Sequence, residues 1–251
     1  MHRFHLPPEH CHGPMLRLAG SEAHHATRVL RVERGDRVTV LDGAGQEFQC
    51  EVAGADKHEV QLRVLEKRSH PSPPFQITLF QAIPKGKIIE SIIEKAAELG
   101  VHRIVPLLTA RVVARLDGLA AAVKGEKWQQ VAVEVIKQCG AAWLPKVEAP
   151  TTLKEFLERR ETFDLALVGS LQGDARHPGQ FLREFRTQPA SQPRRVAVWI
   201  GPEGDFTGEE LLAIQSAGAK AITLGRLVLR VETAAIYCLA LLNYELQSPR
   251  D

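Results

Sequence analysis

The chain has 251 residues, 44% of them hydrophobic and 25% charged, which is enough apolar content to bury a core unaided and excludes disordered and fibrous classes. A formal net charge of +2, from 32 basic and 30 acidic residues, is too small to establish a nucleic-acid partner by itself. The four cysteines (Cys11, Cys50, Cys139, Cys238) are far apart and form no C-x-x-C pair, and residues 233–244 are too short an uncharged run to cross a bilayer. Without a hydrophobic signal core after Met1-His2-Arg3, the expectation is a cytoplasmic protein with no membrane span and free thiols.

In chain order, the first 40 residues form a mildly basic block in which Arg3, Arg17, Arg28, Arg31, Arg34 and Arg37 outnumber the acidic residues. Such a block is compatible with phosphate contacts and also common on neutral surfaces. His10-Cys11-His12 lacks a second ligand pair at finger spacing, so no metal site is expected. Residues 3–6 suit a first strand, and Ser21 is placed to cap a short helix running to about Leu30. Residues 37–41, 47–52 and 59–65 alternate like strands of a small sheet, with Asp42-Gly43 as a turn, and predict a compact β-barrel. Three prolines within residues 69–74 mark a linker and a domain boundary.

Beyond the linker, strand and helix alternate, which predicts an α/β layer with a largely parallel sheet. Residues 76–83 read as its first strand, and residues 87–99 carry apolar side chains at helical spacing up to Gly100. Trp128 and Trp143 bracket a further amphipathic helix and are expected in the core. Residues 104–108, 165–168, 196–200 and 221–224 are short apolar runs suited to buried strands.

Two loops carry chemistry. The run at 196–200 leads into Gly201-Pro202-Glu203-Gly204, then a helix whose Thr207 and Glu210 have capping-box spacing. Ligands of open α/β sheets bind at such connections, although a tight turn with no ligand fits this stretch equally well. The loop is neither a G-x-G-x-x-G nor a Walker motif. The second loop, Leu224-Gly225 through Leu229-Arg230, ends at a helix starting near Glu232. Taken alone, Arg230 and Glu232 read as a cap or a salt bridge. Residues 233–246 are apolar nearly all round and require cover from core or from a partner subunit.

Gly201-Pro202-Glu203-Gly204, followed by Leu224-Gly225, Leu229-Arg230 and Glu232-Thr233-Ala234, resembles the RsmE family of small-subunit (16S) ribosomal RNA uridine N3-methyltransferases, within the SPOUT superfamily. Arg3-Phe4, Lys85-Gly86, residues 94–101, Arg111 and Gln138-Cys139-Gly140 lie in matching order, so the resemblance spans almost the whole chain. It implies a PUA-like RNA-binding β-barrel over residues 1–70 and a SPOUT α/β domain with a deep trefoil knot over residues 74–251. It also implies a homodimer through the C-terminal domain, S-adenosylmethionine as cofactor, and 16S ribosomal RNA or the small ribosomal subunit as partner.

Carried over residue by residue, the resemblance places Val168, Gly169, Ser170, Ile200, Gly201, Glu203, Gly204, Leu224, Gly225, Leu227 and Leu229 around the cofactor. Arg3, Arg17, Arg28, Arg31 and Arg111 are the RNA-binding candidates, and Arg230 and Glu232 the catalytic ones. Uridine N3 carries a proton at rest, so the site must favour its anion, which Arg230 would stabilise while Glu232 orients it or accepts the proton. The chain departs from the family pattern at Ala141 and Leu227, where arginines are usual, and at Asp205, where glycine is typical. Those departures keep a second reading open, that of an RNA-binding ribosome-assembly factor without catalysis or with altered specificity.

Overall fold

The computed structural model describes residues 2–56, 58–112, 118–172, 175–186 and 193–247. The chain divides into two compact units, residues 1–72 with 133–144, and residues 73–132 with 145–251. No linear boundary at the proline-rich linker assigns 133–144 to the first unit; that segment includes the C-terminal end of a long helix.

In the first unit, strands β1 (His2–His5), β2 (Met15–Ala19), β3 (Arg37–Leu41), β4 (Gln46–Ala55) and β5 (Glu59–Ser69) pair in the order β1-β3-β4-β5-β2. The β1/β3 pair is parallel and the other pairs antiparallel. The hydrogen-bonded order runs from β1 to β2 without closing, so the expected barrel is an open five-stranded sheet in its ladder. Alternation puts Leu16, Leu18, Val38, Val40, Phe48, Val52, Val60 and Leu62 in one core with Phe4. The Asp42-Gly43 turn forms because Asp42 Oδ1 accepts from the Ala44 and Gln46 amides at 2.7 and 2.8 Å, while Gly43 and Gly45 take positive φ.

Helix α1 (Gly20–His24) is not capped by Ser21: its N-cap is Ala19, without a side-chain hydrogen bond, and the chain enters through Gly20 at φ 57°. A π-helical turn over His25–Val29 follows, with the Thr27 hydroxyl donating to the Ala23 carbonyl at 2.8 Å and occupying that acceptor. Buried Lys137, from the 133–144 segment, pairs with Glu22 at 2.7 Å and Glu134 at 3.0 Å. Burial works against its charge, but these two carboxylates outweigh it and raise the ammonium pKa. Trp143 is 37% exposed and donates its indole N–H to the Pro71 carbonyl, so it is not the core residue expected.

The second unit holds β6 (Gln76–Ala82), β7 (Arg103–Leu108), β8 (Lys146–Val147), β9 (Thr151–Thr152), β10 (Leu165–Gly169), β11 (Arg195–Ile200) and β12 (Lys220–Ile222). All pairs are parallel in the order β12-β10-β11-β6-β7-β8, with β9 also on β7. Around it lie α2 (Ile88–Glu98), α3 (Gly118–Cys139, whose last residues belong to the first unit), α4 (Leu153–Glu158), α5 (Pro178–Arg186), α6 (Gly208–Ser216) and α7 (Val231–Gln247). The central strands β6 and β11 are buried almost throughout, as near-continuous apolar runs in a parallel sheet should be. Phe80 on β6 and its register partner Trp199 on β11 stack at 3.8 Å. Helix α7 packs on α2, β6 and β11 and leaves Thr233, Tyr237, Ala240 and Tyr244 exposed, so the cover expected all round is missing on one face of the single chain.

Cys11, Cys50 and Cys238 are buried and Cys139 is exposed. Burial pushes the thiol pKa of Cys11 up to about 11 and those of Cys50 and Cys238 up to about 12. Because the thiolate is the nucleophile, these three stay protonated and unreactive at pH 8. Titration of the native protein with an aromatic disulfide reagent should release one fast equivalent from Cys139, with the rest appearing only on unfolding. Two or more fast equivalents would contradict this burial.

Candidate functional site

Strands β12, β10 and β11 are neighbours and parallel, so the loops after all three leave the sheet at the same carboxyl edge. They enclose a cavity of about 850 Å³, within the range of sites that take a nucleoside-sized ligand. Its lining includes Gly169, the last residue of β10, and Ser170 after it; Ile200, the last residue of β11, with Gly201 and Glu203 after it; and Leu224, Gly225, Leu227 and Leu229 after β12. Arg230 and Glu232 lie on the same wall. Two candidates fall outside it. Val168 is fully buried within the sheet as a core residue, and Gly204 faces Arg111 instead. Their motif neighbours line the cavity, but strand alternation and loop curvature turn these two away.

Local chemistry fixes each loop. After β10, the Ser170 amide donates to the Ile222 carbonyl at 3.0 Å, and its hydroxyl accepts from the Gln172 amide at 3.1 Å. After β11, the loop ends at the expected capping box, with Thr207 and Glu210 exchanging hydrogen bonds at the start of α6. Glu203 Oε1 accepts from the Lys85 amide at 2.9 Å, and the Arg111 guanidinium donates to the Gly204 carbonyl. After β12, Gly225 sits at φ 115°, and its amide donates to the Thr223 hydroxyl at 3.4 Å. The Ala234 amide donates to the Arg230 carbonyl at 2.8 Å, so Arg230 stands at the first turn of α7 with its side chain exposed. Glu232 follows in that turn, where the positive end of the peptide dipoles favours a carboxylate.

The RNA-binding candidates separate into two groups. Arg17, Arg28 and Arg31 are exposed on the first unit, Arg17 only 3.9 Å from Glu59 in a weak surface pair. Arg3 instead donates to the Gln138 and Lys137 carbonyls at 2.9 and 3.4 Å, and Gly140 leaves it room: a Cβ there would come 3.0 Å from Arg3 Cζ. Two sequence motifs 135 residues apart thereby meet inside one unit. Arg111 likewise directs donors at the Gly204 and Asp205 carbonyls and braces the loop after β11.

Sequence reasoning passed over Ile88, Leu171, Gln172 and Thr223 on the cavity wall, and treated Asp205 only as a departure from pattern. The available signal was that Asp205 stands where the resemblance has a glycine, a position that goes with positive φ. Its φ is 63°, and its carboxylate accepts from the Leu171 and Phe206 amides.

Residues 71–243 match the family model of the RNA methyltransferase domain, and residues 18–65 that of the RNA methyltransferase PUA domain. The chain is 30% identical over 239 residues to ribosomal RNA small subunit methyltransferase E of Bacillus subtilis strain 168, covering 92% of this chain and 91% of that one. It is similar to a Legionella pneumophila protein solved with SAM bound as its cofactor, with TM-score 0.83, 33% identity and 96% of each chain covered. It is similar, too, to ribosomal RNA small subunit methyltransferase E of Neisseria gonorrhoeae, solved bound to S-adenosyl methionine, with TM-score 0.83, 27% identity and 96% of each chain covered. Among the described residues, no helix is long and apolar enough to cross a membrane.

Proposed function

The chain belongs to the ribosomal RNA small subunit methyltransferase E family, and from that premise we propose that it transfers a methyl group from S-adenosylmethionine to N3 of a uridine in 16S ribosomal RNA. One observation carries the reading: three loops at the carboxyl edge of adjacent parallel strands converge on one cavity whose wall also holds Arg230 and Glu232. The residues present fit an adenosyl group. At Gly169 an added Cβ would lie 3.5 Å from Ile200 Cδ1 and 4.0 Å from Leu224 Cδ1, filling the space where all three loops approach one another. Ile200, Leu224, Leu227 and Leu229 offer apolar faces to a purine, and loop backbone groups offer its hydrogen bonds.

When bound, S-adenosylmethionine supplies an electrophilic methyl group whose departure leaves a neutral thioether, so the transfer needs in-line placement more than acid chemistry. The chain's own residues then serve the acceptor. Arg230, at the first turn of α7, presents a permanent cation toward the charge that grows as uridine N3 loses its proton. Glu232, in the first turn of the same helix, is the carboxylate that in this reading orients the guanidinium or takes the proton. N3 lies on the pairing edge, so the target base must be unpaired or flipped out to reach them. Arg17, Arg28 and Arg31, exposed on the PUA unit, supply phosphate contacts.

The same reading includes a SPOUT fold with a deep trefoil knot and a homodimer through the second unit. After the edge strand β12 the chain turns back so that α7 packs over β6 and β11, which supports the first. Leu227, Val228 and Tyr244, exposed by 78%, 75% and 73% on that unit, support the second.

Calorimetry of the full-length protein with S-adenosylmethionine should give one saturable site per chain. Incubation with 16S ribosomal RNA or small subunits should yield 3-methyluridine, detected by mass spectrometry of the digested RNA. Binding of RNA with neither cofactor binding nor methylation would replace this reading with that of an assembly factor.

A further inference from the structure

We propose that Asp205 is a positioning residue for the cofactor: its carboxylate clasps the loop after β10 to the loop after β11 and so sets the width of the cavity between them. The inference rests on the reading that this cavity takes S-adenosylmethionine. Asp205 Oδ2 accepts from the Leu171 amide at 3.2 Å, across 34 residues of sequence, and Oδ1 accepts from the Phe206 amide at 2.8 Å. The Asp205 amide donates to the Pro202 carbonyl at 2.8 Å, which closes the turn and aims the side chain back across it. That conformation has φ 63°, which strains most residues with a Cβ but is tolerated by aspartate, whose Oδ1 makes the local bond to the Phe206 amide; the longer reach of Oδ2 to Leu171 is not needed for the turn. The carboxylate also needs Gly201 opposite it, because a Cβ at that position would lie 3.0 Å from Asp205 Oδ1.

Leu171 and Asp205 both line the cavity, so the bond between them links the loop after β10 to the loop after β11 at its edge. Glu203, the neighbouring carboxylate, is turned to the Lys85 amide and does not take this place. An ionised carboxylate accepting two amides is stronger than neutral hydrogen bonds, and its cost in backbone strain is offset by pre-shaping the site.

Two variants test the clasp in the full chain. Asp205→Asn tolerates positive φ but carries only one acceptor, so it must forfeit one of the two amides. Asp205→Gly forfeits both while removing the backbone strain. For both variants, dissociation constants for S-adenosylmethionine and S-adenosylhomocysteine should rise together, by roughly 10-fold. The melting temperature should hold for Asp205→Asn and hold or rise for Asp205→Gly, which a merely structural role would reverse. In cofactor-free protein, the Leu171 amide should exchange with deuterium at least about 10-fold faster in either variant, measured by nuclear magnetic resonance.

Unchanged affinities beside a wild type that binds would overturn the clasp. So would a loss confined to the sulfonium compound, because the carboxylate would then act by direct charge. If the wild type binds neither compound, the methyltransferase reading fails, and unchanged Leu171 exchange would remove the clasp on separate grounds.

Discussion

Arg230→Ala should lower kcat by about 100- to 1000-fold while leaving the dissociation constant for S-adenosylmethionine within about 3-fold of wild type. The asymmetry follows from where the residue sits. Its guanidinium is exposed on the cavity wall at the first turn of α7, and its carbonyl, which alanine keeps, takes the first hydrogen bond of that helix. Truncation therefore removes a cation without opening the core. The pH profile adds a second check. Arginine does not titrate in the working range, so its contribution is constant, whereas solvent base ionises the N3 proton more readily as pH rises. The deficit of the variant should shrink toward high pH, and Arg230→Lys should recover part of the rate but not the planar two-donor geometry. Equal losses in kcat and in cofactor affinity would place Arg230 in cofactor binding and remove it from the chemistry.

Much of the second unit was legible because local pattern and tertiary environment agree there. The apolar runs at 196–200 and 165–168 are β11 and β10 to within a residue or two, since a strand covered on both faces has no polar alternation to disguise it. The Thr207/Glu210 spacing marked the start of α6 for the same reason: a capping box is complete within four residues. What escaped was long-range. Strand β2 is five residues with Arg17 outward and exists because β5 pairs with it. Residues 133–144 join the first unit through contacts such as Arg3 with the Gln138 carbonyl, which no window of sequence contains. Arg3 and Arg111 looked like free cations and instead brace backbone, because a guanidinium's partner cannot be read from its neighbours in the chain. Leu227, where the resemblance led to an expected arginine, is an exposed apolar residue at the cavity, and the neighbouring Arg226 lines the same cavity.

Phe80→Ala should have the largest effect on stability, about 3–5 kcal/mol, which lowers the melting temperature of a unit this size by roughly 6–20 °C. Phe80 is fully buried on β6 and lies flat against Trp199 at 3.8 Å with 9° between the rings. Phe156 meets its edge at 4.4 Å and Phe163 at 5.7 Å, so truncation empties a space walled by three aromatic rings that rigid strands keep from collapsing. The damage should reach the cavity as well. Trp199 immediately precedes Ile200 and Gly201, so a loosened indole frees the strand end from which the loop after β11 springs. Phe80→Leu refills most of the volume and should recover more than half of the lost stability, with cofactor affinity recovering in step. Chemical denaturation followed by tryptophan fluorescence reads the stability of both variants, and calorimetry with S-adenosylmethionine reads the affinity. A Phe80→Ala protein that melts within about 2 °C of wild type would mean that the sheet repacks around the vacancy, and the aromatic cluster would then not be what fixes the loop after β11.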